Sequence, residues 1–330
     1  MRVRKIASVM AGAAALALVV SGCGSSNTPQ SPASSIASAA SSVASAGQSV
    51  ASAAAGAAGS AVSSAKSSVA GAVSSAVSGA VEDSQVLTNA KGGKLIVGIK
   101  FDQPGIGFKN PDGTFSGFDI EVAKYVADKL GVKPENIQFK EAKSAEREGL
   151  IDRGEVDYIV ASYSITDARK EKVNFAGPYF IAAQDLLVRS DNTDITGPES
   201  MAGKILCSVT GSTSAQKVKD NYAADVALQE YGTYTECVEA LKSGAVDAVT
   251  TDNVILAGYA AQDPDQLKLV GKGFSVENYG IGLQKGDTAG TAAINAAIAS
   301  MIADGSWKQA LEDTVGPSGF TIPAPPTPSS

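Results

Sequence analysis

The chain has 330 residues, and its apolar fraction of 44% is typical of a protein that folds around a core. Its 34 Asp and Glu outnumber its 27 Lys and Arg, and the formal net charge of -7 does not favour binding to nucleic acid. The chain contains no histidine, the commonest general base and metal ligand. Catalysis and a zinc site are therefore disfavoured, and we expect no metal and no cofactor.

The first residues have the pattern of a bacterial secretion signal. Arg2 and Arg4 precede the apolar run 6–20, which is too short to span a bilayer comfortably. The sequence Val-Ser-Gly before Cys23 resembles the lipobox, where the chain is cleaved ahead of a cysteine that carries lipid. We therefore expect residues 1–22 to be a signal peptide, and Cys23 to anchor the protein to the outer face of the cell membrane. The alternative is an ordinary signal peptide with a chance cysteine.

The segment 23–85 consists almost entirely of Ala, Ser, Gly and Val, and this composition cannot build a core. Valine recurs every four residues from Val69 to Val81, so a weak helix is an alternative, although Ser and Gly at most other positions disfavour it. We expect a disordered tether that follows the lipid-anchored cysteine. The Pro- and Ser-rich segment 316–330 is expected to be a disordered tail.

Strands and helices alternate in the first part of the folded region. Buried strands are predicted at 94–100, 137–141 and 156–161, and helices at 117–130 and 144–153. Because such alternation favours parallel pairing, this part should build a largely parallel sheet.

Strands and helices alternate again after residue 203. Strands are predicted at 204–209, 226–231, 246–250 and 280–283, and helices at 214–222, 234–243, 290–304 and around 307–314. Two α/β lobes with a cleft are therefore expected, and ligands of such sheets sit at the carboxyl ends of the strands.

Two cysteines remain once Cys23 is assigned to the lipid. Cys207 and Cys237 lie in a protein that is expected outside the cytoplasm, where a disulfide can persist. We predict that they are bonded to each other. The alternative is a pair of buried free thiols.

Short strings spread over residues 94 to 315 carry a family resemblance. The main one is SYSITDAR from Ser162 to Arg169, followed by VNF at 173–175 and PY at 178–179. Further strings are GFD at 117–119, TGST at 210–213, GAVDA at 244–248, TD at 251–252 and DGSW at 304–307. Together they resemble the polar amino-acid-binding proteins of ABC importers, solute-binding protein family 3, and especially the actinobacterial glutamate-binding lipoproteins.

This resemblance implies a two-lobe periplasmic-binding-protein fold of type II, the Venus flytrap, with mostly parallel sheets and two hinge crossovers. The crossovers are expected near 179–183 and 275–279. Lobe 1 would then comprise residues 86–179 and 280–315, and lobe 2 residues 184–275. We expect such a protein to be a monomer.

The resemblance also assigns the groups that would hold the α-carboxylate of an amino acid. The main partner is expected to be Arg169, because a buried carboxylate needs a charged partner and a guanidinium can grip both of its oxygens. Ser164 and the segment Gly211, Ser212 and Thr213 would supply further donors. The alternative for Arg169 is a solvated surface charge.

The α-ammonium of the ligand is expected to be held by Asp252, helped by Ser162. Asp252 directly follows a predicted buried strand, where the family places this acid. The alternative for Asp252 is a helix cap before Asn253.

Two further cations suggest an anionic ligand side chain. Relatives that bind glutamine or basic amino acids have an acid near the end of the first strand, where this chain has Lys100. Arg147 matches a position where glutamate- or aspartate-binding relatives also carry arginine. Two cations would select glutamate or aspartate and penalise glutamine. Alternatively, Lys100 extends to solvent and Arg147 pairs with Glu148 or Asp152 on its own helix.

The chain departs from the family pattern at the aliphatic part of the ligand. Many relatives clamp this part between two aromatic rings, whereas the matching positions here are Gln103 and Ser144. We expect Gln103 to contact the ligand. The choice between glutamate and aspartate stays open at this point.

The expected function is capture of L-glutamate, or of aspartate, outside the cytoplasm and its delivery to the permease subunits of an ABC transporter. The alternatives are binding of glutamine or another polar amino acid, and a sensor whose closed form contacts a receptor or kinase. A periplasmic dehydratase of the same fold is a third alternative, which the lack of histidine disfavours.

Overall fold

The computed structural model describes residues 84–328, so the predicted signal peptide, Cys23 and nearly all of the predicted tether lie outside the described residues. Within this range, no helix combines the length and the apolar character needed to cross a bilayer. Two five-stranded sheets organise the chain, and each forms the centre of one lobe.

Lobe 1 is built mainly by the first half of the described chain. Its elements are α1 (Gln85–Lys91), β1 (Leu95–Ile99), β2 (Asp102–Gln103), β3 (Gly107–Lys109), β4 (Phe115–Ser116), α2 (Phe118–Lys129), β5 (Ile137–Glu141), α3 (Arg147–Asp152), β6 (Tyr158–Ile159), α4 (Asp167–Lys170) and β7 (Asn174–Ala182). Strands β2, β3 and β4 form a small antiparallel sheet of their own.

Lobe 2 follows without a long connection. Its elements are β8 (Gln184–Arg189), β9 (Ile205–Val209), α5 (Ser214–Asn221), β10 (Ala227–Tyr231), α6 (Tyr234–Lys242), β11 (Ala248–Asp252), α7 (Asn253–Gln262) and β12 (Leu267–Leu269). The chain then returns to lobe 1 through β13 (Glu277–Leu283), α8 (Thr288–Ala303) and α9 (Ser306–Thr314).

The two main sheets have the same plan. Their strand orders are β5-β1-β6-β13-β7 and β10-β9-β11-β8-β12. The first three strands of each order pair in parallel, and the last two join as antiparallel neighbours. The predicted parallel core is therefore present in both lobes, and strands β7, β8, β12 and β13 make each sheet mixed.

The chain crosses between the lobes twice, as the family resemblance implied. The first crossing is at Ala183, between β7 and β8, and the second is in residues 270–276, between β12 and β13. Trp307 on α9 fixes the first crossing, because its indole Nε1 donates a hydrogen bond of 2.7 Å to the carbonyl of Tyr179. The rings of Phe180 and Tyr279, one from each crossing strand, lie 5.7 Å apart between centroids.

The end of the chain contacts the core through two apolar side chains. After a 3-10 helix at Gly316–Ser318, residues 319–328 have no regular secondary structure, but Phe320 and Ile322 pack against the core. The ring of Phe320 lies 6.5 Å from that of Phe180. These two contacts bring part of the Pro-rich segment against the core, and the disorder expected from residue 316 stays a prediction.

Cys207 on β9 and Cys237 on α6 form a disulfide with their Cα atoms 5.7 Å apart. This pairing confirms the prediction. The bond ties α6 to the central sheet of lobe 2, and the first residue of α6, Tyr234, faces the cleft described next.

Candidate ligand-binding site

A small cavity lies between the two lobes, and its wall is almost entirely polar. Lobe 1 contributes Gln103, Ser144, Arg147, Ser162, Ser164 and Arg169, and lobe 2 contributes Ser212, Thr213, Ser214, Tyr234, Thr251, Asp252 and Ile255. The cavity lies beyond the carboxyl ends of β6 and β11, where ligands of α/β sheets bind. A small polar molecule is the kind of ligand that such a cavity fits.

Arg169 is a buried cation that spans the cleft. Thr166 begins the short helix α4 by accepting a hydrogen bond of 3.3 Å from the backbone N–H of Arg169. The guanidinium donates to the carbonyl of Ser164 at 2.8 Å and, across the cleft, to the carbonyl of Gly211 at 3.2 Å. Only 8% of Arg169 is exposed, so it is not a solvated surface charge.

Gly211 brings the lobe 2 loop against lobe 1. Its φ of +81° is in the region that favours glycine, and a Cβ there would lie 2.6 Å from the Cα of Ala145. Ser212 and Thr213, which follow, line the cavity, and Thr213 is the N-cap residue of α5. Gly211 therefore acts through its backbone, whereas the next two residues face the cavity.

Asp252 supplies the carboxylate of lobe 2. It is the last residue of β11, and it accepts a hydrogen bond of 2.6 Å from the hydroxyl of Tyr279. Burial, and secondly the carboxylate of Glu277, raise the pKa of Asp252 to about 7. The side chain makes no capping bond to the following helix, so the alternative role as a helix cap finds no support.

Ser162 has an unusual backbone that a buried acid holds in place. Its φ of +44° is the only positive φ of a non-glycine residue within residues 84–328. Its N–H donates to Oδ2 of Asp119 at 2.8 Å, and its hydroxyl donates to Oε1 of Gln103 at 3.0 Å. Asp119 also accepts a 2.7 Å hydrogen bond from the hydroxyl of Tyr179, and burial raises its pKa to about 7. Asp119 ends the GFD string of the family resemblance, but no role was predicted for it, because the string does not show which backbone its carboxylate holds.

Arg147 is the second cation in the cavity wall. Its guanidinium donates to the carbonyl of Ala161 at 2.9 Å and lies 4.3 Å from the centroid of the Tyr163 ring. These partners replace the acids of its own helix that were the alternative. Burial, and secondly the nearby charge of Arg169, lower the pKa of Arg147 to about 10.

Lys100 does not belong to the cavity wall. Its Nζ lies 3.6 Å from Oδ1 of Asp102 and 5.6 Å from the ring centroid of Tyr234. It is only 1% exposed, so it does not extend to solvent either, and burial lowers its pKa while Asp102 acts in the opposite direction. Its nearest charged partner is Asp102, and the expected contact of Lys100 with the ligand stays a prediction.

Several cavity residues were missing from the predicted site. Ser214, Tyr234, Thr251 and Ile255 line the wall, and so does Ser144, which the sequence analysis mentioned only as a departure from the family pattern. The position of Tyr234 could have been predicted from the sequence, since the capping box that starts at Thr233 fixes the beginning of α6. Its hydroxyl donates to Oγ of Ser212 at 3.3 Å and so joins two parts of the wall.

Known amino-acid-binding proteins are similar to this chain. The chain is 49% identical over 241 residues to the glutamate-binding protein GluB of Corynebacterium efficiens, which covers 70% of this chain and 82% of that protein. It is 41% identical over 196 residues to a glutamine-binding protein of Geobacillus stearothermophilus, covering 59% and 74% of the two chains. The solved structure of an ancestral arginine-binding protein bound to glutamine is similar with a TM-score of 0.64 and 39% identity, over 68% of this chain and 98% of that one.

The family model of bacterial extracellular solute-binding proteins, family 3, matches residues 95–316. This match spans both lobes and all the cavity residues described above. The chain belongs to the bacterial extracellular solute-binding proteins of family 3.

Proposed function

We propose that this protein captures L-glutamate outside the cytoplasm and delivers it to the permease of an ABC importer. The observation that carries the proposal is the set of charges in the cavity wall, which comprises the guanidinium groups of Arg147 and Arg169 and the carboxylate of Asp252. Glutamate carries two carboxylates and one ammonium, so each of its charges has an opposite charge in the wall.

Two ion pairs lie beside this set of charges, one between Arg169 and Glu148, with Nε 3.6 Å from Oε1, and one between Lys100 and Asp102. Lys100 and Asp102 neutralise each other at 3.6 Å, and neither belongs to the wall. Glutamine would leave one buried guanidinium without a charged partner. In a cavity closed to water, this costs a large amount of binding free energy. The charges therefore favour glutamate over glutamine.

Each ligand group has an assigned partner in this proposal. Arg169 and Ser164 hold the α-carboxylate, together with Ser212 and Thr213 from the other lobe, and Asp252 holds the α-ammonium. Arg147 holds the distal carboxylate, close to Gln103, Ser144 and Tyr234. The GluB relative supports glutamate, whereas the glutamine-binding relative makes glutamine the second candidate.

The remaining parts of the proposal concern the cell. We propose that Cys23 carries lipid, that residues 24–85 tether the domain to the membrane, and that the protein acts as a monomer. Its relatives are binding proteins, and we propose a binding role without a catalytic residue.

A thermal-shift screen of the mature protein against the twenty amino acids tests the ligand. Glutamate should raise the melting temperature most, aspartate and glutamine should raise it less, and basic amino acids should have no effect. A larger rise with glutamine or arginine than with glutamate would overturn the assignment. Uptake of labelled glutamate by cells with and without the gene separates import from sensing, since only an importer loses uptake.

A further inference from the structure

Asp102 joins the two lobes at a point outside the cavity wall. It lies on β2 in lobe 1, and its Oδ2 accepts a hydrogen bond of 2.7 Å from the backbone N–H of Tyr234, the first residue of α6 in lobe 2. Its own carbonyl accepts a hydrogen bond from the hydroxyl of Tyr259 on α7. A single residue of lobe 1 therefore bonds to two helices of lobe 2.

The neighbouring backbone is fitted to this contact. A Cβ on Gly258 of α7 would come within 2.1 Å of the carbonyl oxygen of Pro104, the second residue after Asp102. Only glycine lets the turn after β2 approach α7 so closely. The lobes thus meet through a closely packed contact, in addition to the polar groups around the cavity.

The chemistry of the Asp102 contact favours a strong bond. The N–H of Tyr234 is in the first turn of α6, where backbone N–H groups have no partner inside the helix and attract negative charge. Asp102 is 9% exposed, and Lys100, with Nζ 3.6 Å from Oδ1, orients the carboxylate and balances its charge. Hydrogen bonds to a charged acceptor are stronger than those between neutral groups.

We propose that Asp102, positioned by Lys100, is a latch that holds the two lobes closed and sets how long the closed form lasts, without taking part in the choice of amino acid. The choice of amino acid should not depend on Asp102 and Lys100, because they neutralise each other and do not line the cavity. The inference rests on the proposed function only in taking the closed form as the form that holds the ligand.

The test measures how fast the closed form opens, by single-molecule fluorescence resonance energy transfer. Dyes are attached to the mature chain through Lys133→Cys in lobe 1 and Lys219→Cys in lobe 2, both of which are exposed positions. Cys23→Ser removes the other reactive thiol, since Cys207 and Cys237 are bonded. The opening rate and the ratio of closed to open molecules are recorded without amino acid and with glutamate or glutamine.

Asp102→Ala should raise the opening rate about tenfold or more, the factor expected for one hydrogen bond to a charged group. Affinities for glutamate and glutamine should fall by the same factor, so their ratio stays constant. Asp102→Asn, which keeps an acceptor oxygen, should recover part of the loss. Asp112→Ala removes an exposed acid that bonds only within its own turn, and it should leave the opening rate unchanged.

An opening rate that is the same in Asp102→Ala and the parent would overturn the latch, and so would a changed ratio of the two affinities. Should Asp102→Ala fail to fold because Lys100 is left unpaired, the double variant Lys100→Met and Asp102→Ala carries the test. It removes both charges of the pair and the acceptor of the Tyr234 N–H, so it should raise the opening rate, and no rise would refute the proposal. If no amino acid closes the parent protein, the proposed function fails, while the opening rate of the free protein still reports on the latch.

Discussion

The hydroxyl of Tyr279 donates a hydrogen bond of 2.6 Å to the carboxyl of Asp252, and so a strand that belongs to the sheet of lobe 1 holds the acid of lobe 2. In this closed arrangement, burial and then the charge of Glu277 raise the pKa of Asp252 to about 7. An open cleft exposes the same carboxyl to water, where an aspartate has a pKa of about 3.9. Closing is therefore favoured by a proton on Asp252 or by a cation beside it.

This relationship predicts a pH dependence of closing in the free protein. The closed form takes up a proton on Asp252 between the two pKa values, so closing becomes about tenfold less favourable for each pH unit from about 4 to 7 and levels off above pH 7. Glutamate brings an ammonium to Asp252, and closing with bound glutamate should not depend on pH in this range. The ratio of closed to open molecules, measured from about pH 4.5 to 8.5 with the dye pair described above, checks both the slope below pH 7 and the plateau above it. Asp252→Asn should abolish the pH dependence of closing. If the closed-to-open ratio still changes with pH by the same slope in that variant, another group causes the dependence.

Loss of Arg169 should weaken glutamate binding by about 3–5 kcal/mol, because the buried α-carboxylate would lose its main charged partner. Calorimetry on Arg169→Ala measures the loss. Arg153→Ala is the matched control, since the Arg153 side chain is 58% exposed and pairs with Glu155 on the surface. Equal affinities of the parent protein and Arg169→Ala would remove Arg169 from the site.

Arg147 and Lys100 should differ in their effect on ligand choice. Arg147→Met removes a cation from the cavity wall, so the preference for glutamate over glutamine should shrink about tenfold or more. Lys100→Met disturbs Asp102 instead, and it should weaken the binding of glutamate and of glutamine by the same factor. Calorimetric titrations of both ligands on both variants give the ratios. A preference that shrinks in Lys100→Met but not in Arg147→Met would restore Lys100 as the direct ligand contact.

Gly211→Ala should prevent closing, because its Cβ would lie 2.6 Å from the Cα of Ala145 in the other lobe. Gly203→Ala is a close control, since Gly203 also has a positive φ, of +70°, but has open space around its Cβ position. Both variants should lose about 1–2 kcal/mol of stability from the strained backbone. Only Gly211→Ala should also lose glutamate affinity. Equal affinities of the two variants would show that the contact with Ala145 does not limit closing.

The disulfide should contribute to stability through the unfolded chain. Cys207 and Cys237 are 30 residues apart, and closing a loop of this length stabilises a protein by about 3–4 kcal/mol in the chain-entropy account. The double variant Cys207→Ala and Cys237→Ala should lose about this amount in urea unfolding. A loss below about 1 kcal/mol would mean that the packing of α6 on β9 alone holds this part of lobe 2.

Sequence reasoning identified the cations and the acid of the cavity because short strings carry them at fixed places. Arg169 ends the SYSITDAR string and Asp252 ends a buried strand, and in the structure both line the same cavity. Other elements were also predictable, since β1 and the start of α6 follow directly from an apolar run and a capping box.

What escaped prediction depends on contacts between distant parts of the chain. The partner of Lys100 is Asp102, which stays beside it only because the turn after β2 packs on α6 and α7 of the other lobe. Asp119 was missed because its role is to hold the backbone of Ser162, which lies 43 residues away. Strands β7 and β8, which pair antiparallel with β13 and β11, were not predicted as strands, and the crossing between them was expected only from the family resemblance.

The most direct measurement is a calorimetric titration of the mature protein at neutral pH with L-glutamate and, separately, with L-glutamine. The account predicts one glutamate per chain and an affinity for glutamate at least about tenfold higher than for glutamine, because only glutamate pairs with both Arg147 and Arg169. Equal affinities, or tighter binding of glutamine, would contradict the assignment of two cations to two carboxylates.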